Sequence, residues 1–178
     1  IVKIGGAIEV LNHLISRHPV EAIWSHQETW NAWTYERDKA VRKYLIKKQI
    51  PWHEPSQNGV IRRLKGRDGW SEKWLLNMRA PLVNKPLTMV KIEEKTEVLP
   101  NFEGIGLKDD HCQKRQKGGR QEGLSYLSSF LDERGQHYSR KMSSPVTAYE
   151  NCSRISPYLA FGSLSVREVF KKIEERKE

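Results

Sequence analysis

The sequence predicts an α/β unit built on a parallel sheet, followed by an irregular linker and the beginning of an all-α region. Three observations carry that reading. Short apolar runs alternate with stretches of helical period over residues 1–79, the pattern of βαβ units. Residues 80–117 hold Pro81, Pro86 and Pro100 and little periodicity, as expected of a connector lying on the surface. From Gly118 onward apolar residues recur at helical spacing.

Taken in order, Ile1-Val2-Lys3-Ile4 is a β-branched run that Gly5-Gly6 ends, so it reads as a strand. Ala7 to His18 places Ile8, Leu11, Leu14 and Ile15 on one helical face. Val20 to Trp24 reads as a second, buried strand, and Trp30 to Lys48 as a charged helix with Trp33, Val41, Tyr44 and Leu45 inward. Arg37 and Asp38 on that helix are expected to make separate salt bridges. Ile50 to Glu54 begins a third strand, with Pro51 favouring its start or an edge. Over 61–79 six basic residues face two acidic ones, which would suit a nucleic-acid face. Trp70 and Trp74, one turn apart and followed by Leu75 and Met78, favour a packing stripe instead. The helical region shows Leu124, Leu127, Phe130 and Leu131, then Tyr158, Leu159 and Phe161, then Val166, Val169, Phe170 and Ile173. Lys171 to Glu178 is a charged amphipathic end with no stop signal.

The formal net charge of +9 favours a polyanionic partner. No apolar run approaches the length of a membrane span and no signal peptide is visible, so no membrane partner is expected. Cys112 and Cys152 lack disulfide or metal-ligand spacing, and the six histidines show no metal-site pairing. A reducing, cytoplasmic setting and no metal are the expectations.

Chemistry is densest over residues 151–168. Ser156 followed by Pro157 reads as a helix cap with proline at the first helical position. Ser165 with Glu168 three residues on is a capping box. Ser153, Arg154 and Ser156 surround a helix start whose N–H groups lack intrahelical partners, a setting suited to a phosphate or pyrophosphate. The same pattern also serves merely to cap a helix.

The run Cys152-Ser153-Arg154-Ile155-Ser156-Pro157-Tyr158-Leu159-Ala160-Phe161-Gly162-Ser163-Leu164-Ser165-Val166-Arg167-Glu168 resembles the flavin-phosphate segment of the photolyase/cryptochrome family. Gly118-Gly119-Arg120, and Phe130-Leu131 with Arg134 and Tyr138, are similar to that family's approach to the flavin. Asn58 to Leu64 with Arg67-Asp68-Gly69-Trp70 resembles a stretch in a bacterial branch of it. The resemblance implies a partial Rossmann-like antenna domain over 1–79, a linker over 80–117 and the N-terminal part of a helical FAD-binding domain over 118–178. It implies FAD as cofactor, held by Tyr138, Cys152, Ser153, Arg154, Ile155 and Ser156. Tyr138 has the alternative of anchoring two helices, and Cys152 that of a small buried hydrophobe. Arg154 has the alternative of pairing a carboxylate.

Where relatives place a DNA-contacting arginine four residues after the tyrosine, this chain has Met142, and Arg140 and Lys141 are the cations available for that role. Gln27 and Glu28 sit where an antenna chromophore of folate or deazaflavin type would lie, although a structural role is favoured for them. The implied function is that of a photolyase: light-driven electron transfer from reduced FAD that splits pyrimidine dimers in DNA. The alternative is a cryptochrome-type photoreceptor with the same FAD fold and no repair. The family's opening-strand motif and most of its helical domain are missing here, so the chain reads as an internal piece of a longer, monomeric protein. The catalytic residues then lie beyond Glu178, and isolated 1–178 is expected to retain no stoichiometric flavin.

Overall fold

A computed structural model describes residues 1–176, which divide into two compact units. The first comprises Ile1–Leu64 and Lys85–Cys112, the second Lys65–Asn84 and the chain from Gln113 onward. Lys177 and Glu178, which end the charged amphipathic stretch, lie outside the described residues.

The first unit carries a short parallel pairing of β1 (Ile23–Trp24) with β2 (Trp52–His53). Backbone bonds from Ile23 to Pro51, Ser25 to His53 and Gln27 to Pro55 extend it at both ends. Helix α1 (Ala7–Arg17) precedes β1, and α2 (Ala32–Lys47) is the crossover between β1 and β2. Asn31 starts α2 with a full capping box: its side chain accepts from the Thr34 N–H at 3.0 Å, and the Thr34 hydroxyl accepts from the Asn31 N–H. Thr34, Asp38, Val41 and Leu45 form the buried stripe of α2.

Several expectations for this unit are corrected. Residues 1–4 form no strand, because their backbone finds a single ladder partner, the Glu97 N–H on the Val2 carbonyl. The two observed strands are two residues each, shorter than the runs 20–24 and 50–54 expected to form them. Trp24 is 70% exposed and stacks on His53, and Trp33 is 75% exposed; the inward stripe of α2 runs through Thr34 and Asp38 instead. Arg37 and Asp38 do have separate partners, Arg37 lying 3.8 Å from Glu28 and Asp38 accepting from Arg62, and they bond each other as well.

Two carboxylates organise the rest of the unit. Arg62 donates to Asp38 at 3.0 Å, to Glu54 at 3.2 Å and to the Glu28 carbonyl at 2.7 Å, so this cation of the basic 61–79 stretch is spent internally. Glu94 brings the 85–112 segment onto the unit. Its side chain is 3% exposed and meets Lys3 at 2.8 Å, Arg17 at 3.0 Å, His18 at 3.1 Å and His13 at 3.4 Å. Hydrogen bonds from Lys3, then from His18 and His13, lower its pKa to about 2, against a desolvation that acts the other way. Glu97 adds two backbone-linked contacts, accepting from the Ile4 N–H and donating its own N–H to Val2. The irregular stretch is thus held to the unit at Glu94 and Glu97.

The second unit is helical. Its elements are α3 (Trp70–Arg79), α4 (Arg120–Asp132), α5 (Tyr138–Lys141), α6 (Pro145–Asn151), α7 (Ser156–Ala160) and α8 (Val166–Glu175), with a 3₁₀ turn over Arg134–His137. Leu127, Ile155, Tyr158, Leu164 and Val169 make the core, with Leu124, Tyr126, Leu131 and Leu159 against it. The tryptophan stripe packs as expected: Trp70 stacks on Trp74, Trp74 meets Phe170 of α8 edge-on, and Met78 is fully buried. No helix among the described residues is long and apolar enough to cross a membrane.

Two outcomes test this packing. Gly123 lies where α4 meets α7, and a Cβ there would sit 2.9 Å from Tyr158 Cγ and 3.1 Å from Leu164 Cδ1. Gly123→Ala therefore destabilises by about 1–3 kcal/mol through overpacking, although alanine gains about 1 kcal/mol in helix propensity; urea unfolding reads the sign. Because the Glu94 pKa is depressed on folding, its contribution is complete above pH 4.5 and is lost as pH falls toward 2. Hydrogen-exchange protection of the Ile4 and Glu97 amides should fall through that window, and should be low at neutral pH in Glu94→Gln.

Candidate functional site

The loop that joins α6 to α7 is shaped by where its carbonyls go. Arg134, in the turn after α4, donates Nη1 to the Cys152 carbonyl at 2.6 Å and Nη2 to the Ser153 carbonyl at 3.4 Å. The same guanidinium donates Nη2 to the Tyr126 carbonyl at 2.9 Å and Nε to the Ser129 hydroxyl at 3.0 Å, which fixes it to α4. Gln116 donates Nε2 to the Arg154 carbonyl at 2.9 Å. The Ile155 carbonyl accepts the Leu159 N–H and so opens α7. Four successive carbonyls are thus engaged within the protein.

The N–H groups are not. Cys152 donates to Ala148, but among the described residues the N–H groups of Ser153, Arg154, Ile155 and Ser156 find no acceptor. Across a trans peptide the carbonyl and the following N–H point in opposite directions. Engaging the carbonyls of 152, 153 and 154 therefore turns the amides of 153, 154 and 155 away from Arg134 and Gln116. Arg154 has φ +58°, in the left-handed region, and Ile155 follows at φ −88°, ψ −6°. A left-handed residue next to a right-handed one gathers successive N–H groups around a concavity suited to an anion. A non-glycine residue at positive φ is costly and is held there by its surroundings.

Those surroundings are visible. The Arg154 guanidinium lies 3.8 Å from the Tyr149 ring and 5.7 Å from that of Tyr126, and its Nη2 reaches Gln116 at 3.4 Å. It makes no ion pair with a carboxylate among the described residues, so its charge is available to a ligand. The Ile155 side chain is buried in the core, and the Tyr158 hydroxyl donates to the Lys117 carbonyl at 2.8 Å, anchoring the approach to Gly118. Arg120 of the Gly118-Gly119-Arg120 run grips Glu168 with both terminal nitrogens and lowers its pKa through hydrogen bonding and charge.

The capping expectations change in detail. Ile155, not Ser156, occupies the cap position of α7, and no side chain bonds there; Ser156 is the first helical residue, exposed. Its hydroxyl and that of Ser153 are unpartnered among the described residues. Ser165 does precede α8, and the Glu168 carboxylate accepts from its backbone, so half of the capping box forms, but the Ser165 hydroxyl makes no capping bond.

The remaining residues singled out in the sequence lie apart from the loop. Tyr138 starts α5, packs edge-on to Phe130 and is half-exposed, with no bond or ring contact to 152–156. Arg140 and Lys141 are exposed; Arg140 reaches His137 at 3.2 Å and neither meets a carboxylate among the described residues. In the first unit, Glu28 Oε1 accepts from the Thr29 and Trp30 amides at 2.8 and 2.9 Å. Gln27 lines one cavity of about 310 Å³ with Arg62, and Glu28 lines another of about 320 Å³ with Trp30. Gln116 and Tyr149 were not singled out from the sequence. Gln116 stands in the irregular stretch 38 residues before its partner, and no local pattern marks such a contact.

No protein-family model matches the chain, and no curated protein matches it by sequence. Among solved structures, the chain is similar to a bacterial class III photolyase from Agrobacterium tumefaciens, with a TM-score of 0.65 and 20% sequence identity. The match covers 94% of this chain and 37% of that one, so the chain spans just over a third of the length of this solved relative. The chain has a photolyase-like fold: a largely helical assembly with a small parallel two-stranded sheet.

Proposed function

We propose that the protein is a photolyase-like flavoprotein, in which the loop 152–156 holds the diphosphate of FAD and light drives electron transfer that splits pyrimidine dimers in DNA. The observation that carries this reading is the run of four unpartnered amides at 153–156, in the same residues whose sequence resembles the family's flavin-phosphate segment. The donor set fits the group. Amide N–H groups, the Ser153 and Ser156 hydroxyls and the Arg154 guanidinium are all donors, and a diphosphate is all acceptor.

When bound, reduced FAD supplies the light-absorbing electron donor. The residues of this chain supply position and charge. Cys152 contributes its backbone frame rather than its thiol, a weak donor. Ile155 ties the loop to the core, so the amides keep their aim. Tyr138 stands on α5 with its hydroxyl free of partners among the described residues, available to the ribityl side of the cofactor. Arg140 and Lys141, one turn further on, are cations available to DNA phosphates. Photolyases are among the enzymes that draw the target nucleotide out of the stack, and a lesion lowers that cost.

The test is anaerobic illumination of the full-length protein, loaded with FAD and reduced, with an oligonucleotide that carries a cyclobutane dimer. The expected result is one FAD per chain and light-dependent loss of the dimer. A bound flavin with a stable photocycle and no dimer loss would select the photoreceptor reading. Failure to bind FAD would overturn both.

A further inference from the structure

We infer that Arg134 is a positioning residue for the diphosphate site: it never touches the anion, but fixes the direction of the amides that do. The inference rests on the flavin reading above and adds a residue and a mechanism to it. Arg134 spends its guanidinium on backbone oxygens at both ends of a gap, Tyr126 on α4 and Cys152 and Ser153 on the loop. Its remaining contacts are the Ser129 hydroxyl at 3.0 Å and the Tyr126 ring at 5.7 Å. No carboxylate competes for it among the described residues, so the whole fork is devoted to bracing carbonyls. Because a peptide is planar and trans, holding the 152 and 153 carbonyls toward α4 holds the 153 and 154 N–H groups away from it. Gln116 extends the device by one peptide through the Arg154 carbonyl.

A planar, five-donor fork is required for this work; an ammonium reaches fewer oxygens and does not fix their plane. Without the brace, the carbonyls of 152 and 153 are free to rotate toward the anion, which puts acceptors where donors are needed. The left-handed Arg154 then loses part of what holds it at φ +58°.

The experiment compares full-length wild type with Arg134→Ala, Arg134→Lys and Gln116→Ala. It measures the Kd for FAD and the rise in Tm that inorganic pyrophosphate gives each apoprotein relative to itself. Arg134→Ala should weaken FAD binding by about tenfold or more, as expected for lost charge-assisted bonds, and should abolish the pyrophosphate shift. Arg134→Lys should recover part of both, and Gln116→Ala should lose less in the same direction. If Arg134→Ala does not fold, the other two variants decide by the same pair of readouts. A variant with lower Tm but a wild-type pyrophosphate shift and FAD affinity would reduce Arg134 to a structural brace and overturn the inference. Wild type that binds FAD yet shows no pyrophosphate shift would overturn it while leaving the flavin reading in place. Wild type that binds no FAD would remove the flavin reading, and this inference with it.

Discussion

A backbone oxygen and the N–H that follows it cannot face the same way across a trans peptide, and the second unit is arranged around that constraint. Arg134 and Gln116 take the oxygens of three consecutive residues, and α7 takes the fourth. The amides are left over as a set. None of the donors that make the loop is remarkable alone; the directional consequence arises because the engaged oxygens are consecutive. Core packing then keeps the arrangement in place, since Ile155 of the loop and Tyr158 of the adjoining α7 both belong to the apolar cluster of Leu127, Leu164 and Val169. Site and core are therefore coupled through two residues, and the close fit at Gly123 leaves that coupling little slack.

The first unit solves a different problem. Its regular pairing is two residues per strand, too little to hold a sheet by itself. Polar and charged groups do the joining: Arg62 ties α2, β2's exit and the turn at Glu28, and Glu94 collects Lys3, Arg17 and the rings of His13 and His18. Buried carboxylates of this kind stabilise only when their partners stay in place. Protonation of Glu94 therefore weakens the hold on the 85–112 segment in acid.

What the sequence revealed follows from the range over which each signal acts. Helices with a local stripe, such as α2 with Val41 and Leu45 and α3 with Trp70, Trp74 and Met78, were legible because the pattern lies within a few turns. The strands were over-read. Val20–Trp24 and Ile1–Ile4 have β-branched composition, but a strand exists only where a neighbouring backbone supplies the ladder. Within 80–117 the contacts of Glu94 had no local signal, because its partners Lys3, His13, Arg17 and His18 lie at least 76 positions away. At the loop, the motif stood in the sequence while the bracing of its carbonyls did not. Arg134 could be quoted from the sequence, but its partners are carbonyls, which carry no residue identity, and Gln116 reaches across 38 positions. Trp24 and Trp33 mark the opposite failure: large apolar residues read as core that stand in solvent.

The photolyase-like fold by itself assigns no ligand, since fold and function are separable. The claim that matters is local, that the amides of Ser153 to Ser156 hold a dinucleotide's diphosphate. A crystal structure of the full-length protein soaked with FAD addresses it directly. The account requires diphosphate oxygens within hydrogen-bonding distance of at least two of those four nitrogens, with Arg134 still on the Cys152 and Ser153 carbonyls. A diphosphate bound elsewhere, or a loop buried beneath apolar side chains of the remaining polypeptide, would contradict it.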